Sequence, residues 1–168
     1  LIRHYKGLDI LLKAFAELDE SYQLIIAGEP YGSFEPYQEI IDKIPGKNRI
    51  KLCLRYIKDS QVKDYFSAAD VAVLPYRSAT QSGISSIAYH FEVPMIVTDT
   101  GGLKSTIGDT GTGLVAKNSV TEQIRDEILK YFGDVSIGER CKENIRKEKQ
   151  RLSWAAFSND LKSFAESL

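Results

Sequence analysis

With 168 residues the chain is of single-domain size, long enough to bury a core without disulfide or metal staples. Hydrophobic residues make up 43% and charged residues 27%, which excludes intrinsic disorder; 22 Lys plus Arg against 23 Asp plus Glu leave a net charge of -1, which argues against a surface for coating nucleic acid or anionic membrane. No apolar run approaches the roughly 18 residues of a membrane span. Cys53 and Cys141, far apart in sequence, read as buried free thiols of a reducing compartment. No secretory leader is recognisable, and Leu1 opens in mid-motif without Met, so a fragment of a longer protein is expected.

Leu8, Leu11, Leu12, Phe15 and Leu18 recur at helical spacing after the Lys6-Gly7 turn and predict an amphipathic helix. Residues 23–27 are a short apolar run stopped by Gly28-Glu29-Pro30, a buried strand. A short helix over 37–44 closes at Pro45-Gly46. Residues 50–57 read as a strand, and Asp59 or Ser60 caps a helix that runs to Ala69. A third buried strand, 71–74, stops at Pro75, and a polar loop over 76–81 leads into a helix from about Ser82 to Phe91. The fourth strand, 94–98, is followed by Asp99-Thr100-Gly101-Gly102, and the fifth covers 113–116.

Beyond Asn118 the pattern turns helical. Val120, Ile124, Ile128 and Phe132 mark one face, Ile137, Cys141, Ile145 and Leu152 another. Trp154 to Leu168 forms a last amphipathic helix through Phe157, Leu161, Phe164 and Leu168. Apolar strands that do not alternate, separated by helices, predict a parallel sheet covered on both faces. Right-handed crossovers make it an open doubly wound α/β domain with additional C-terminal helices. Such sheets bind ligands at the carboxyl ends of their strands. The unusual residues fall there: Arg3 to Gly7, Gly28 to Tyr31, Arg55-Tyr56, Tyr76 to Gly83 and Thr98 to Gly102.

Three constellations carry chemistry. In Arg3-His4-Tyr5-Lys6-Gly7 two cations precede a helix, a planar fork and a mobile point charge that suit a pyrophosphate; solvated loop charges would look the same. Thr80-Gln81-Ser82-Gly83 opens a helix whose free amides and dipole favour an anion, although Ser82 also reads as a plain N-cap. Gly101-Gly102 permits close backbone approach to a ligand, or a tight strand-to-helix turn.

Other chemistries lack their motifs. There is no P-loop and no G-x-G-x-x-G, which disfavours NAD. His4 and His90 are far apart, no H-E-x-x-H or C-x-x-C exists, and no metal site is predicted. His90 reads as a packed or capped imidazole, and no G-x-S-x-G elbow supports a hydrolase triad. Arg140 to Arg151, interleaved with Glu143 and Glu148, reads as an exposed, charge-laced helix.

The ordered set of segments resembles the C-terminal, donor-binding domain of GT-B retaining glycosyltransferases of the family 4 (glycosyl transferases group 1) type. The resemblance rests on residues 6–14, 24–28 and 65–75, then on Gln81-Ser82-Gly83 with 88–94, 97–102 and 112–115. It covers 1–168 as a nucleotide-sugar-binding domain, with the first strand cut short and the N-terminal acceptor domain of the same chain outside it.

The resemblance implies transfer of a hexosyl-type sugar from a nucleotide-diphospho-sugar to a glycan or lipid-linked acceptor. It implies no metal or other cofactor, no nucleic-acid partner, and an isolated domain without turnover. Cytoplasmic placement follows, with peripheral contact to the inner membrane face left to the full-length protein. By resemblance Arg3 and Lys6 are catalytic, neutralising the donor diphosphate. Gly28, Arg55, Tyr56, Gln81, Ser82, Gly83, Gly101 and Gly102 bind the donor, with the backbone of Arg55-Tyr56 cradling the base. The sequence departs from the family pattern where Ala79 and Ile87 replace a pair of glutamates, where Lys104-Ser105 replaces a third, and where Leu1 occupies the usual arginine position. A degenerate, non-catalytic module kept for scaffolding or partner recognition is the alternative.

Overall fold

The computed structural model describes residues 1–167, in which two groups of parallel strands carry the helices. Helix α1 (Leu8–Ala16) leads to β1 (Leu24–Ala27), which α2 (Glu35–Asp42) connects to its parallel partner β2 (Ile50–Cys53). Helix α3 (Asp59–Ser67) crosses to the second group, in which β3 (Ala72–Leu74), β4 (Met95–Thr98) and β5 (Gly113–Ala116) lie side by side in parallel. Helix α4 (Gly83–His90) joins β3 to β4, and a π-helical turn at Lys104–Gly108 joins β4 to β5. Three helices end the chain: α5 (Thr121–Gly133), α6 (Val135–Arg151) and α7 (Trp154–Glu166). A single parallel bridge between Ile2 and Pro30 ties the N-terminal segment to the end of β1. Parallel neighbours require such crossovers, so the α/β alternation in the sequence carries directly into the fold.

Two apolar clusters form the core. One gathers Leu8, Leu11, Leu12 and Phe15 of α1 with Ile26, Ile50, Ile96 and the Ile124 and Ile128 side chains of α5. The other gathers Leu74, Tyr76, Ala88, Tyr89, Met95, Val97, Leu103 and Ile107 around Ile145 of α6. Strand β4 is buried at every residue, as its apolar run requires. The first pair differs from expectation. Ile25, Ala27 and Lys51 are exposed on the face opposite Ile26 and Ile50, so only one face of β1–β2 is covered by helices.

Several boundaries shift for local reasons. Strand β2 ends at Cys53 rather than 57, because the Arg55 amide folds back onto the Cys53 carbonyl (3.0 Å). Helix α2 starts at Glu35, with Pro36 in its first turn, where a missing amide costs nothing. On α5 the buried face holds Tyr131, while Val120 and Phe132 are exposed, and Leu152 lies past the end of α6 on the surface. His90 is exposed, edge-on to Phe91 at 4.8 Å, and not packed as the sequence suggested. The charge-laced reading of α6 holds: Lys147 pairs with Glu143, Arg151 with Glu148, and Arg146 and Lys149 with Glu92. Helix α7 forms with Trp154, Phe157, Leu161 and Phe164 all exposed, and Leu168 lies outside the described residues. Among the described residues no helix is long and apolar enough to cross a membrane.

Candidate functional site

The segment before α1 is a 3-10 turn, His4–Lys6, closed by Gly7 with a left-handed φ of +68°. A Cβ at Gly7 would stand 2.1 Å from the Pro75 carbonyl oxygen, so only glycine lets this turn press against the end of β3. That contact places Lys6, half-buried, with its Nζ 5.7 Å from the centroid of the Tyr76 ring. Tyr5 meets the same ring edge-on at 5.8 Å. Tyr76 is buried, which pushes its phenol pKa up, and its hydroxyl lies 3.4 Å from Ser82 Oγ.

Ser82 occupies the N-cap position of α4 in extended conformation, but its hydroxyl makes no capping hydrogen bond. The Ser85 amide donates to the Ser82 carbonyl at 3.1 Å, and the amides of Gly83 and Ile84 are left for a ligand or water. Gly83 has open space where a Cβ would project. Tyr5, Lys6, Tyr76, Gln81, Ser82, Gly83, Ile84 and Ile87 line a wide-mouthed cavity of about 340 Å³. An ammonium facing uncapped helix amides is an arrangement that binds anions, phosphate above all.

The structure thus brings together Lys6, Gln81, Ser82 and Gly83, and leaves other expected residues apart. Arg3 lies over the exposed ring of Tyr31, 4.5 Å from its centroid, and does not line the Lys6 cavity. Gly28 ends β1 with its amide donated to the Cys53 carbonyl at 3.0 Å. Arg55 and Tyr56 are exposed beyond β2. Gly101 and Gly102 sit behind the loop preceding α4. A Cβ on Gly101 would stand 1.7 Å from the Ala79 carbonyl oxygen, and the Gly102 amide donates to the Thr80 carbonyl at 3.0 Å. Their smallness shapes the loop that carries Gln81 and does not line the cavity. Among the described residues no group of three or more His, Cys, Asp or Glu side chains is placed to hold a metal ion.

The family model for glycosyl transferases group 1 matches residues 2–148. The chain belongs to that family. An uncharacterized glycosyltransferase of Methanocaldococcus jannaschii, MJ1178, is 25% identical over 149 residues, 89% of this chain but 41% of the relative. Among solved structures, Anabaena Alr3699/HepE in complex with UDP is similar with a TM-score of 0.83 at 16% identity, over 99% of this chain and 46% of that one. The C-terminal domain of a glycosyl transferase group 1 family protein (LpcC) from Francisella tularensis gives 0.77 at 16% identity, covering 90% and 81%. The chain therefore spans less than half of the longer relatives and most of an isolated C-terminal domain. The parallel α/β architecture is that of a GT-B half.

Sequence reasoning passed over one side chain beside this glycosyltransferase-family cavity. Arg77, in the loop after β3, forms a bidentate ion pair with Asp9 of α1, Nη1 to Oδ1 at 2.8 Å and Nη2 to Oδ2 at 2.6 Å. Hydrogen bonding from Arg77 holds the Asp9 carboxyl below its usual pKa, and the same bond raises that of Arg77. Asp9 lies in the first turn of α1, and no spacing rule links residues 68 positions apart.

Proposed function

We infer that this chain is the donor-binding half of a retaining glycosyltransferase, which moves a hexosyl-type sugar from a nucleotide-diphospho-sugar to a glycan or lipid-linked acceptor. The observation that carries this reading is the approach of Lys6 to the uncapped start of α4 across one cavity at the C-terminal end of β3. When the sugar leaves, the bond to the diphosphate oxygen breaks and that oxygen keeps the electron pair. A cation and helix amides aimed there bind the departing diphosphate more strongly than the intact donor, which is the condition for catalysis. The UDP held by the similarly folded HepE structure supports a nucleoside diphosphate as the ligand class. Charge neutralisation is assigned to Lys6 and the α4 amides, with Arg3 as the second cation once it leaves the Tyr31 ring. Arg55-Tyr56 and Gly28, at strand ends on the same edge, are assigned to the nucleoside.

Calorimetric titration with UDP, GDP, ADP and their sugar conjugates tests the reading, with a dissociation constant expected in the roughly micromolar to millimolar range. Lys6→Ala should weaken binding of the preferred nucleotide roughly tenfold or more, the loss of one charge-assisted contact. No binding by any member, or equal binding by Lys6→Ala, overturns it.

One observation favours a second reading. Ile87, at a position where the family pattern has a glutamate, puts an apolar side chain into the Lys6 cavity. A degenerate, non-catalytic module kept for scaffolding or partner recognition would leave the intact protein without transfer activity, and an assay of sugar transfer by the intact protein separates the two.

A further inference from the structure

We propose that Arg77 is a positioning residue that holds Lys6 in front of the α4 N-terminus, acting through Asp9 and the backbone of the turn that carries Lys6. The inference rests on the reading of Lys6 as the cation for the diphosphate. Two short segments meet residue by residue. Gly7 packs against the Pro75 carbonyl, Lys6 lies over the Tyr76 ring, and the Tyr5 carbonyl accepts the Arg77 amide at 2.7 Å. The guanidinium of Arg77 then closes around the turn: Nη1 donates to the His4 carbonyl at 3.1 Å as well as to Asp9, and Nη2 completes the fork on the carboxylate.

This arrangement does two things that a solvated loop arginine would not. First, it refers the turn to a rigid element, because Asp9 sits in the first turn of α1 with a buried neighbour on each side, Leu8 and Ile10. A planar fork fixes direction as well as distance, which a lysine in its place would not. Second, it settles the charges. Asp9 and Arg77 neutralise one another, so Asp9 is not available to quench Lys6, and Arg77 does not line the cavity to compete for the anion. Among the described residues Lys6 makes no ion pair, and its ammonium remains the unopposed positive charge facing Ser82 and Gly83. The geometry explains why a charge pair is maintained beside a cavity whose work is done by a third charge.

The test joins a readout that needs no ligand to one that does. Amide hydrogen exchange is measured on the chain and on Arg77→Met and Asp9→Asn, with Arg77→Lys as the charge-conserving control. Exchange at Lys6 and Gly7, whose amides donate to the Arg3 and His4 carbonyls, should rise roughly tenfold in Arg77→Met and Asp9→Asn while the β4 amides stay protected. Arg77→Lys should restore only part of the protection. In parallel, UDP affinity should fall roughly tenfold in Arg77→Met, and Arg77→Met should have no further effect when Lys6 is already alanine. A merely structural arginine would lower affinity equally in both backgrounds. Unchanged turn amides overturn the proposal, as does loosened exchange with full UDP affinity while Lys6→Ala weakens binding. If the unsubstituted chain binds none of UDP, GDP and ADP, the diphosphate reading of the cavity falls, and the turn amides alone decide whether Arg77 holds Lys6.

Discussion

Gly7 combines a φ of +68° with a carbonyl oxygen 2.1 Å from where a Cβ would be, so substitution meets backbone strain and steric overlap together. Gly7→Ala is expected to cost at least about 2 kcal/mol in urea unfolding and to displace Lys6 from the Tyr76 ring. Tyr131 offers a different test. Its hydroxyl donates to the Asp70 carbonyl at 2.9 Å, and burial pushes its pKa up to about 12. The unfolded phenol ionises near 10, so between about pH 10 and 12 the folded state holds a proton that the unfolded state has released. Stability is therefore fully supported by this group below about pH 10 and lost as pH rises through that window. Tyr131→Phe should flatten the alkaline limb of a stability-versus-pH curve; an unchanged limb would reject this assignment. At this scale Lys6 and Ser82-Gly83 were legible because each announces its chemistry locally. Arg77 was not, because its meaning lies in a partner brought to it by tertiary folding.

Helices α6 and α7 carry similar apolar periodicity and meet different fates. Ile137, Cys141 and Ile145 of α6 are buried, Ile145 completely. On α7 Trp154 is 84% exposed and Phe157 57%. Ile145→Ala should cost about 2–5 kcal/mol, the usual loss for a filled core site. Phe157→Ala and Leu161→Ala should each change unfolding free energy by less than about 0.5 kcal/mol, because they leave water contact much as it was. Equal losses on the two helices, measured by chemical denaturation, would contradict this division. Amphipathic spacing says that a helix has a face to bury; it does not say that anything covers it. The same reasoning explains β1 and β2, whose apolar run suggested burial on both sides although Ile25 stands exposed on the outer one.

At the scale of the whole molecule, the turn before α1 meets the loop after β3, so that Lys6 and Ser82 line one cavity at the C-terminal end of β3. The order of strand and helix, the parallel pairing and the family were legible in the sequence, because apolar runs of strand length, caps and turn residues are local signals that act before any long-range contact forms. The same local signals marked every strand end that carries an unusual residue. Which of those ends share a cavity depended on how the elements pack. Lys6 and Ser82 are joined because Gly7 lets one backbone touch another, whereas Arg3 turns onto Tyr31 and the paired glycines after β4 support a loop. Chain chemistry alone determined the fold class, the family and a cation placed before a helix. Only tertiary packing decided which charges are spent on each other and which one is left beside the start of α4, since distances between residues far apart in the chain follow from how the core closes, not from their spacing along it.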